Sequence, residues 1–322
     1  MIEGRTVMSE GYERLSEAHR LYLNGHLNTI YRLQHTSEEI ILATFVPLAR
    51  TNMMDVILIT GASGGIGEAI VNQLAQRKHN LLLVARNAQK LKEQCIKLEK
   101  DFGISAGFIA ADLSKIDMAQ QVFDETQNRG LNVTMLVNNA GIGSGGEFST
   151  LSLKSELDLI QLNVSSLVSL THLFLPQMQK RKNGTIVNVA SMAAFIPIPY
   201  MAIYAASKAF VRSFTQAITQ ECAPYNIQVT LFCPGLTKTN FNSAAGIDNE
   251  IGKGLSSDYQ NAPTQTPEEV AAEVMKALDK NKQVAVSGTM NRMAAALVAL
   301  IPNPVITRMF ARSYRKKIKV NA

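Results

Sequence analysis

Cysteine is scarce in this chain, histidine hardly commoner, and no apolar run is long. The three cysteines, Cys95, Cys222 and Cys233, stand far apart with no Cys-x-x-Cys pair. An odd, sparse set does not build a disulfide framework and fits a reducing, cytoplasmic setting. The five histidines are scattered and show no metal-ligand spacing. No run of roughly eighteen apolar residues occurs, so no stretch reads as a membrane-spanning helix. The nearest approach, residues 293–301, is stopped by Pro302 and Pro304. Glu3, Glu10, Glu13 and Glu17 break any secretory leader pattern. Internal repeats and low-complexity stretches are also missing.

Acidic residues are absent from one place in particular. The net charge is +6, and residues 305–322 hold Arg308, Arg312, Arg315, Lys316, Lys317 and Lys319 with no Asp or Glu. That tail carries the whole excess, so the body is neutral and does not read as a nucleic-acid binder. With 322 residues, 46% apolar and 18% charged, the chain has an ordinary globular composition.

What is present is a rhythm. From Asp55 onward, apolar runs alternate with helical patterns: VILIT (56–60), NLLLVA (80–85), GFIAAD (107–112), MLVNNAG (135–141), TIVNVAS (185–191), QVTLFCPG (228–235) and QVAVSG (283–288). Helices are expected near 65–76, 88–102, 152–181, 201–222 and 267–279. Continuous apolar strands between such helices imply a parallel sheet covered on both faces. The fold class is therefore α/β, a single doubly wound Rossmann-type domain with a seven-stranded parallel sheet, spanning 54–288. Residues 1–53 show no strand and only weak helical periodicity. Their opening Ile-Glu-Gly-Arg resembles a protease-cleavage linker, and Met53 or Met54 is a natural start. They are expected to be an appendage, from an over-extended start or an added leader, with a genuine helical arm as the alternative. Residues 289–322 form an apolar, then basic, tail.

TGASGGIG (60–67) follows the first strand and opens a helix. Glycines at 61, 65 and 67 let backbone N–H groups approach a pyrophosphate, and the helix N-terminus adds partial positive charge. A tight strand–helix connection is the plainer reading. The second strand ends LLLVARN, with Ala85 and Arg86 where dinucleotide folds that prefer NAD place an acid. A guanidinium can grip a 2′-phosphate, so the expected cofactor is NADP(H). A solvent-facing arginine is the alternative.

YAASK (204–208) puts Tyr204 and Lys208 on one helix face, just downstream of Ser191. The pair is a weak signal alone. In order along the chain, however, stand TGASGGIG, Asp112 in ADLS, NNAG (138–141), Asn163 in LNV, Ser191, YAASK and Pro234-Gly235. Together they resemble the short-chain dehydrogenases/reductases over about 54–288, and the wider pattern IPIPYMAIYAASKAF (196–210), with the apolar-basic tail, resembles an NADP-preferring bacterial branch.

The resemblance implies the catalytic set Ser191, Tyr204, Lys208 and Asn163. A free tyrosine has a pKa of about 10, and a nearby ammonium favours its phenolate. By resemblance Tyr204 exchanges a proton with the substrate oxygen, Lys208 also binds the nicotinamide ribose, Ser191 orients the carbonyl, and Asn163 holds a water that links Lys208 to solvent. The implied cofactor contacts are Thr60, Gly61, Ser63, Gly65, Ile66, Gly67, Arg86, Asp112 near the adenine, Asn138, Ala140 and Gly141 by the adenosine ribose, Tyr204, Lys208, Pro234, Gly235, and Thr237 near the nicotinamide amide. No metal is expected.

The loop after Ser191 is apolar, with Phe195, Ile198 and Met201 as either substrate wall or core. Residues 236–266 read as a lid. The expected reaction interconverts a small apolar ketone or aldehyde with its alcohol. A non-catalytic NADP-binding or redox-sensing relative is the alternative. Family members commonly form homo-oligomers through the helices at 152–181 and 201–222. The tail is either a packed helix with a basic end or a peripheral membrane contact.

Overall fold

β1 (Met54–Thr60) is buried over its last five residues, and the rest of the fold is laid around it. In a computed structural model of the chain, residues 53–239, 241 and 264–320 are described, the side chains of 316–320 excepted. The expected appendage lies outside these residues but for Met53, and so does most of the expected lid.

Six parallel strands join β1: β2 (Leu81–Ala85), β3 (Ala106–Ala110), β4 (Leu131–Asn138), β5 (Gly184–Val189), β6 (Ile227–Cys233) and β7 (Val284–Val286). Their order is β3-β2-β1-β4-β5-β6-β7. The chain builds outward from β1 in one direction, then returns and builds outward through β4 in the other. The β1–β4 junction is thus the topological switch point, where the carboxyl ends of the strands open a crevice.

Because successive strand residues face opposite ways, β1 feeds two cores. Ile57 and Ile59 pack against α1 (Gly65–Gln76), α2 (Ala88–Phe102) and, after β6, a helix over Pro267–Asp279. Val56 and Leu58 face α3 (Met118–Asn128), the long helix α4 (Leu153–Arg181) and α5 (Ala202–Cys222). Each such fully buried aliphatic side chain contributes about 1.5–3 kcal/mol. α4 is long and apolar enough to cross a membrane, yet its Leu170, Phe174 and Met178 belong to the second core. Its apolarity is that of a core helix.

The helix over Pro267–Asp279, α6, starts with a complete capping box. Glu269 N–H donates to Thr266 Oγ1 at 3.2 Å and Thr266 N–H to Glu269 Oε2 at 2.8 Å. α2 is capped by Asn87, which accepts from Lys90 N–H, and ends on Gly103 at φ 63°. α1 is different: its N-cap is Gly64 and no side chain caps it.

After β7 come α7 (Thr289–Val298) and α8 (Asn303–Val320). α8 turns Ile306 and Tyr314 into the protein, where Tyr314 and Phe310 join the cluster around Tyr204. All three cysteines are buried free thiols. Burial pushes Cys95 and Cys222 up to about 11 and Cys233 up to about 12, which leaves them unreactive.

Candidate active site

The turn after β1 is shaped by the turn after β4. Thr60 Oγ1 accepts N–H bonds from Asn139 (3.0 Å) and Ala140 (2.9 Å). Asn139 Nδ2 donates to the carbonyls of Thr60 (2.9 Å) and Gly61 (3.3 Å). Gly67 fits under this clasp because it has no Cβ; one added there would drive into the Gly61 carbonyl and the Asn139 amide. Gly61 (φ 65°) and Gly65 (φ 53°) take left-handed backbone that other residues adopt only with strain. Ser63 and Ile66 sit on the same turn, half-buried. The uncapped amino end of α1 therefore faces the switch point with its backbone approachable, an arrangement suited to an anion.

Two expected cofactor contacts have side chains engaged inside the protein. Thr60 is only 1% exposed, and its hydroxyl is spent on the β4 turn. Asn138 points into the interior: its Nδ2 donates to Asn188 Oδ1 at 2.9 Å and Thr171 Oγ1 at 3.1 Å. Asn188 Nδ2 donates in turn to Thr215 Oγ1 at 3.0 Å. Strand parity decides this, since Asn138 shares a face with Leu136, which packs in the second core. Any part these two residues take at a nucleotide falls to their backbone. Asn139, passed over in the sequence, is the side chain that clasps the loop; its place within NNAG was the available signal.

Arg86 is exposed at the end of β2, and its charge acts on Asp112. Burial opposes ionisation of Asp112, but bonds from the Ser114 hydroxyl (2.7 Å) and N–H (3.2 Å), with Lys115 and Arg86 nearby, hold its carboxyl below the usual range.

The reactive residues gather at the ends of β4, β5 and β6. Ala190 N–H donates to Phe232 O (2.8 Å) and Met192 N–H to Pro234 O (2.9 Å), which zips the β5 exit to the β6 exit. Ser191 lies between them, its Oγ accepting from Ala193 N–H at 3.1 Å. Thr237 Oγ1 donates to Gly235 O at 3.2 Å. Asn291 packs so closely over Gly235 that a Cβ there would overlap it.

Lys208 is buried, and its ammonium donates to Val189 O at 3.1 Å. It lies 6.0 Å from the centroid of the Tyr204 ring. Burial pulls Lys208 down to about 8, so the site still holds a cation at neutral pH. A Cβ on Gly141 would come within 3.3 Å of Lys208 Nζ and 3.1 Å of Asn163 Oδ1.

Asn163 is not on a plain helix. α4 contains one π-helical turn, Gln161–Ser165, the kind of irregularity found at functional sites. The turn aims Asn163 at the β4 exit. Its Oδ1 accepts from Ile142 N–H and its Nδ2 donates to Ile142 O, both at 2.9 Å, and also to Ser207 Oγ at 3.1 Å. Ser207 Oγ donates to Tyr204 O at 2.7 Å. Asn163 thus ties the NNAG loop to the helix that carries Tyr204 and Lys208. That clamp is what its side-chain bonds make.

The apolar loop divides. Phe195 packs beneath the Arg212 guanidinium at 4.5 Å and in a core with Val211 and Leu231. Ile198 and Met201 join Tyr204, Phe241, Phe310 and Tyr314, with the Tyr204 and Phe241 rings 5.8 Å apart. The aromatic side chains of α8 were not foreseen at this site. A cavity of about 570 Å³ beside β3, lined by Cys95, Phe108 and Met118 among others, shares no residue with it.

A family profile described as short chain dehydrogenase matches residues 55–250. The chain belongs to that family. This short-chain dehydrogenase is 29% identical over 267 residues to dehydrogenase/reductase SDR family member 7B of Xenopus laevis, covering 81% of this chain and 82% of the frog protein. It is 35% identical over 182 residues to 17-beta-hydroxysteroid dehydrogenase type 3 of Danio rerio, covering 55% of this chain and 59% of that one. Among solved structures it resembles a short-chain dehydrogenase from Sphingobium yanoikuyae in complex with NADPH. The TM-score is 0.67 and the identity 27%, over 77% of this chain and 97% of that one. These two relatives are vertebrate proteins, while a Nostoc ketoacyl reductase is 30% identical over 76% of this chain and 82% of its own length, and the comparisons single out no bacterial branch. Family membership makes the enzyme an NAD(P)(H)-dependent oxidoreductase of carbonyl and alcohol groups.

Proposed function

We propose that this enzyme uses NADP(H) to interconvert an apolar ketone or aldehyde with its alcohol, with Tyr204 as the proton-exchanging group. The observation that carries the proposal is the buried Lys208 ammonium 6.0 Å from the Tyr204 ring. An ammonium beside a phenol favours the phenolate, which brings the hydroxyl toward the range where it can give and take a proton. Ser191 donates its hydroxyl to the substrate oxygen and fixes the carbonyl's orientation. Asn163 and Ser207 keep the Tyr204 helix in register with the β4 exit.

The residues present fit a dinucleotide, because the glycine turn leaves room that a Cβ would fill and the α1 terminus lacks a side-chain cap. The N–H groups of residues 63–67 would hold its phosphates. Gly141 and the backbone of Asn138 and Ala140, together with Asp112, would hold its adenosine half; Lys208, Pro234, Gly235 and Thr237 would hold its nicotinamide half. When bound, the cofactor supplies or accepts the hydride. Arg86, with no acid at the β2 end, supports the phosphorylated form, as does the NADPH in the Sphingobium yanoikuyae structure. The apolar wall of Ile198, Met201, Phe241, Phe310 and Tyr314 supports an apolar substrate body.

An NADPH-oxidation screen over apolar ketones, aldehydes, hydroxysteroid-like ketones and 3-oxoacyl compounds tests the proposal. Turnover confined to polar carbonyls, or none with NADPH, would remove it.

A further inference from the structure

The helices after β7 turn an apolar face away from the protein. α7 has no buried residue. Its Met290, Met293 and Leu297 fall on one stripe, three and four residues apart, and all are exposed. Leu300, at the elbow between the helices, is 82% exposed. α8 extends the face with exposed Val305 and Met309, while Ile306 and Tyr314 on its other side are buried.

This face does not belong to a membrane-crossing segment. α7 has ten residues, about 15 Å of helix, and the α7–α8 pair is bent by 120°. α8 is held along the protein by its buried residues. An amphipathic pair that lies flat has its apolar stripe available to an interface and to nothing deeper.

The charge of the segment narrows the partner. From Thr289 to Ala322 the sequence holds seven Lys and Arg and no Asp or Glu. Arg308, Arg312 and Arg315 are exposed, spaced four and three apart, next to Val305 and Met309. Two copies meeting through this face would bring two such segments together with no acid inside either to pair with. An anionic surface complements it instead.

We propose that the α7–α8 elbow docks the enzyme on an anionic lipid surface, with the Met290–Met293–Leu297–Leu300 stripe among the acyl chains and the arginines at the phosphates. Docking would also set the Tyr204 cluster, which α8 reaches through Phe310 and Tyr314, next to the bilayer from which an apolar substrate could enter. That second consequence rests on the function proposed above; the docking does not.

The test is co-sedimentation of the full-length protein with phosphatidylcholine vesicles, with and without phosphatidylserine, at low and high salt. The proteins compared are the wild type, Met293→Glu/Leu300→Glu and Arg308→Glu/Arg312→Glu. The wild type should bind only the phosphatidylserine vesicles and lose binding as salt rises. Each double variant should bind at least about tenfold less. Unchanged thermal melting and NADPH affinity show that the variants are folded. Sedimentation of Met293→Glu/Leu300→Glu equal to wild type would overturn the proposal. So would a wild type that ignores anionic vesicles but forms a dimer this variant abolishes. Vesicle binding is read without turnover, so either this proposal or the functional one can fail alone.

Discussion

Replacing Lys208 by methionine should change how stability depends on pH. Lys208 is buried and its ammonium is pulled from 10.5 down to about 8. Below about pH 8 the lysine is protonated whether the chain is folded or not, and the fold bears the full cost of a buried cation. Between about 8 and 10.5 the folded protein releases the proton while the unfolded chain keeps it, so stability rises with pH. Above 10.5 both forms are neutral and the cost is gone. Two and a half units correspond to about 3 kcal/mol. Lys208→Met removes that titration. It also removes the bond to Val189 O, at roughly 1–3 kcal/mol that does not depend on pH. The net change at one pH is therefore a poor readout, whereas the difference between the two pH profiles is a good one. Urea unfolding of both cofactor-free proteins, below pH 8 and again near 10.5, measures it. The stability of Lys208→Met relative to wild type should fall by about 3 kcal/mol across that interval. Parallel profiles would refute the buried cation.

Other outcomes follow from the cofactor cradle. Arg86→Asp should swing the preference from NADPH toward NADH by about ten- to a hundredfold, the worth of a charge-assisted bond to a phosphate; unchanged kcat/KM for both cofactors would take Arg86 out of the site. Gly67→Ala should cost about 1–3 kcal/mol through overlap with the Gly61 carbonyl and weaken NADPH binding, and a wild-type melting temperature would count against the close approach. Asn139→Ala removes two bonds to the β1 turn and should raise the KM for NADPH more than it lowers kcat. An effect on kcat alone would show that Asn139 acts elsewhere.

The strands and the order of the motifs were legible because both are local. VILIT (56–60) could only be a buried strand, and Thr266, Pro267 and Glu269 announce the start of α6 at its observed residue. What escaped was set by long-range packing. α3 went unread because its sequence, MAQQVFDETQN, buries only Ala119, Val122 and Thr126. The π-helical turn has no residue signature, so the direction of Asn163 could not be foreseen from LNV. Asn138 was placed beside the adenosine ribose because NNAG reads as one unit. Strand parity turns the Asn138 side chain inward and leaves the clasp to Asn139. The reach of Phe310 and Tyr314 to Tyr204 depends on the 120° bend after α7, which no local pattern encodes beyond Pro302 and Pro304.

The most direct test of Tyr204 as the proton-exchanging group is the turnover of Tyr204→Phe on the best carbonyl from the NADPH screen, with NADPH affinity titrated in parallel. Turnover should fall by roughly a thousandfold with affinity little changed. A rate close to wild type would contradict the assignment.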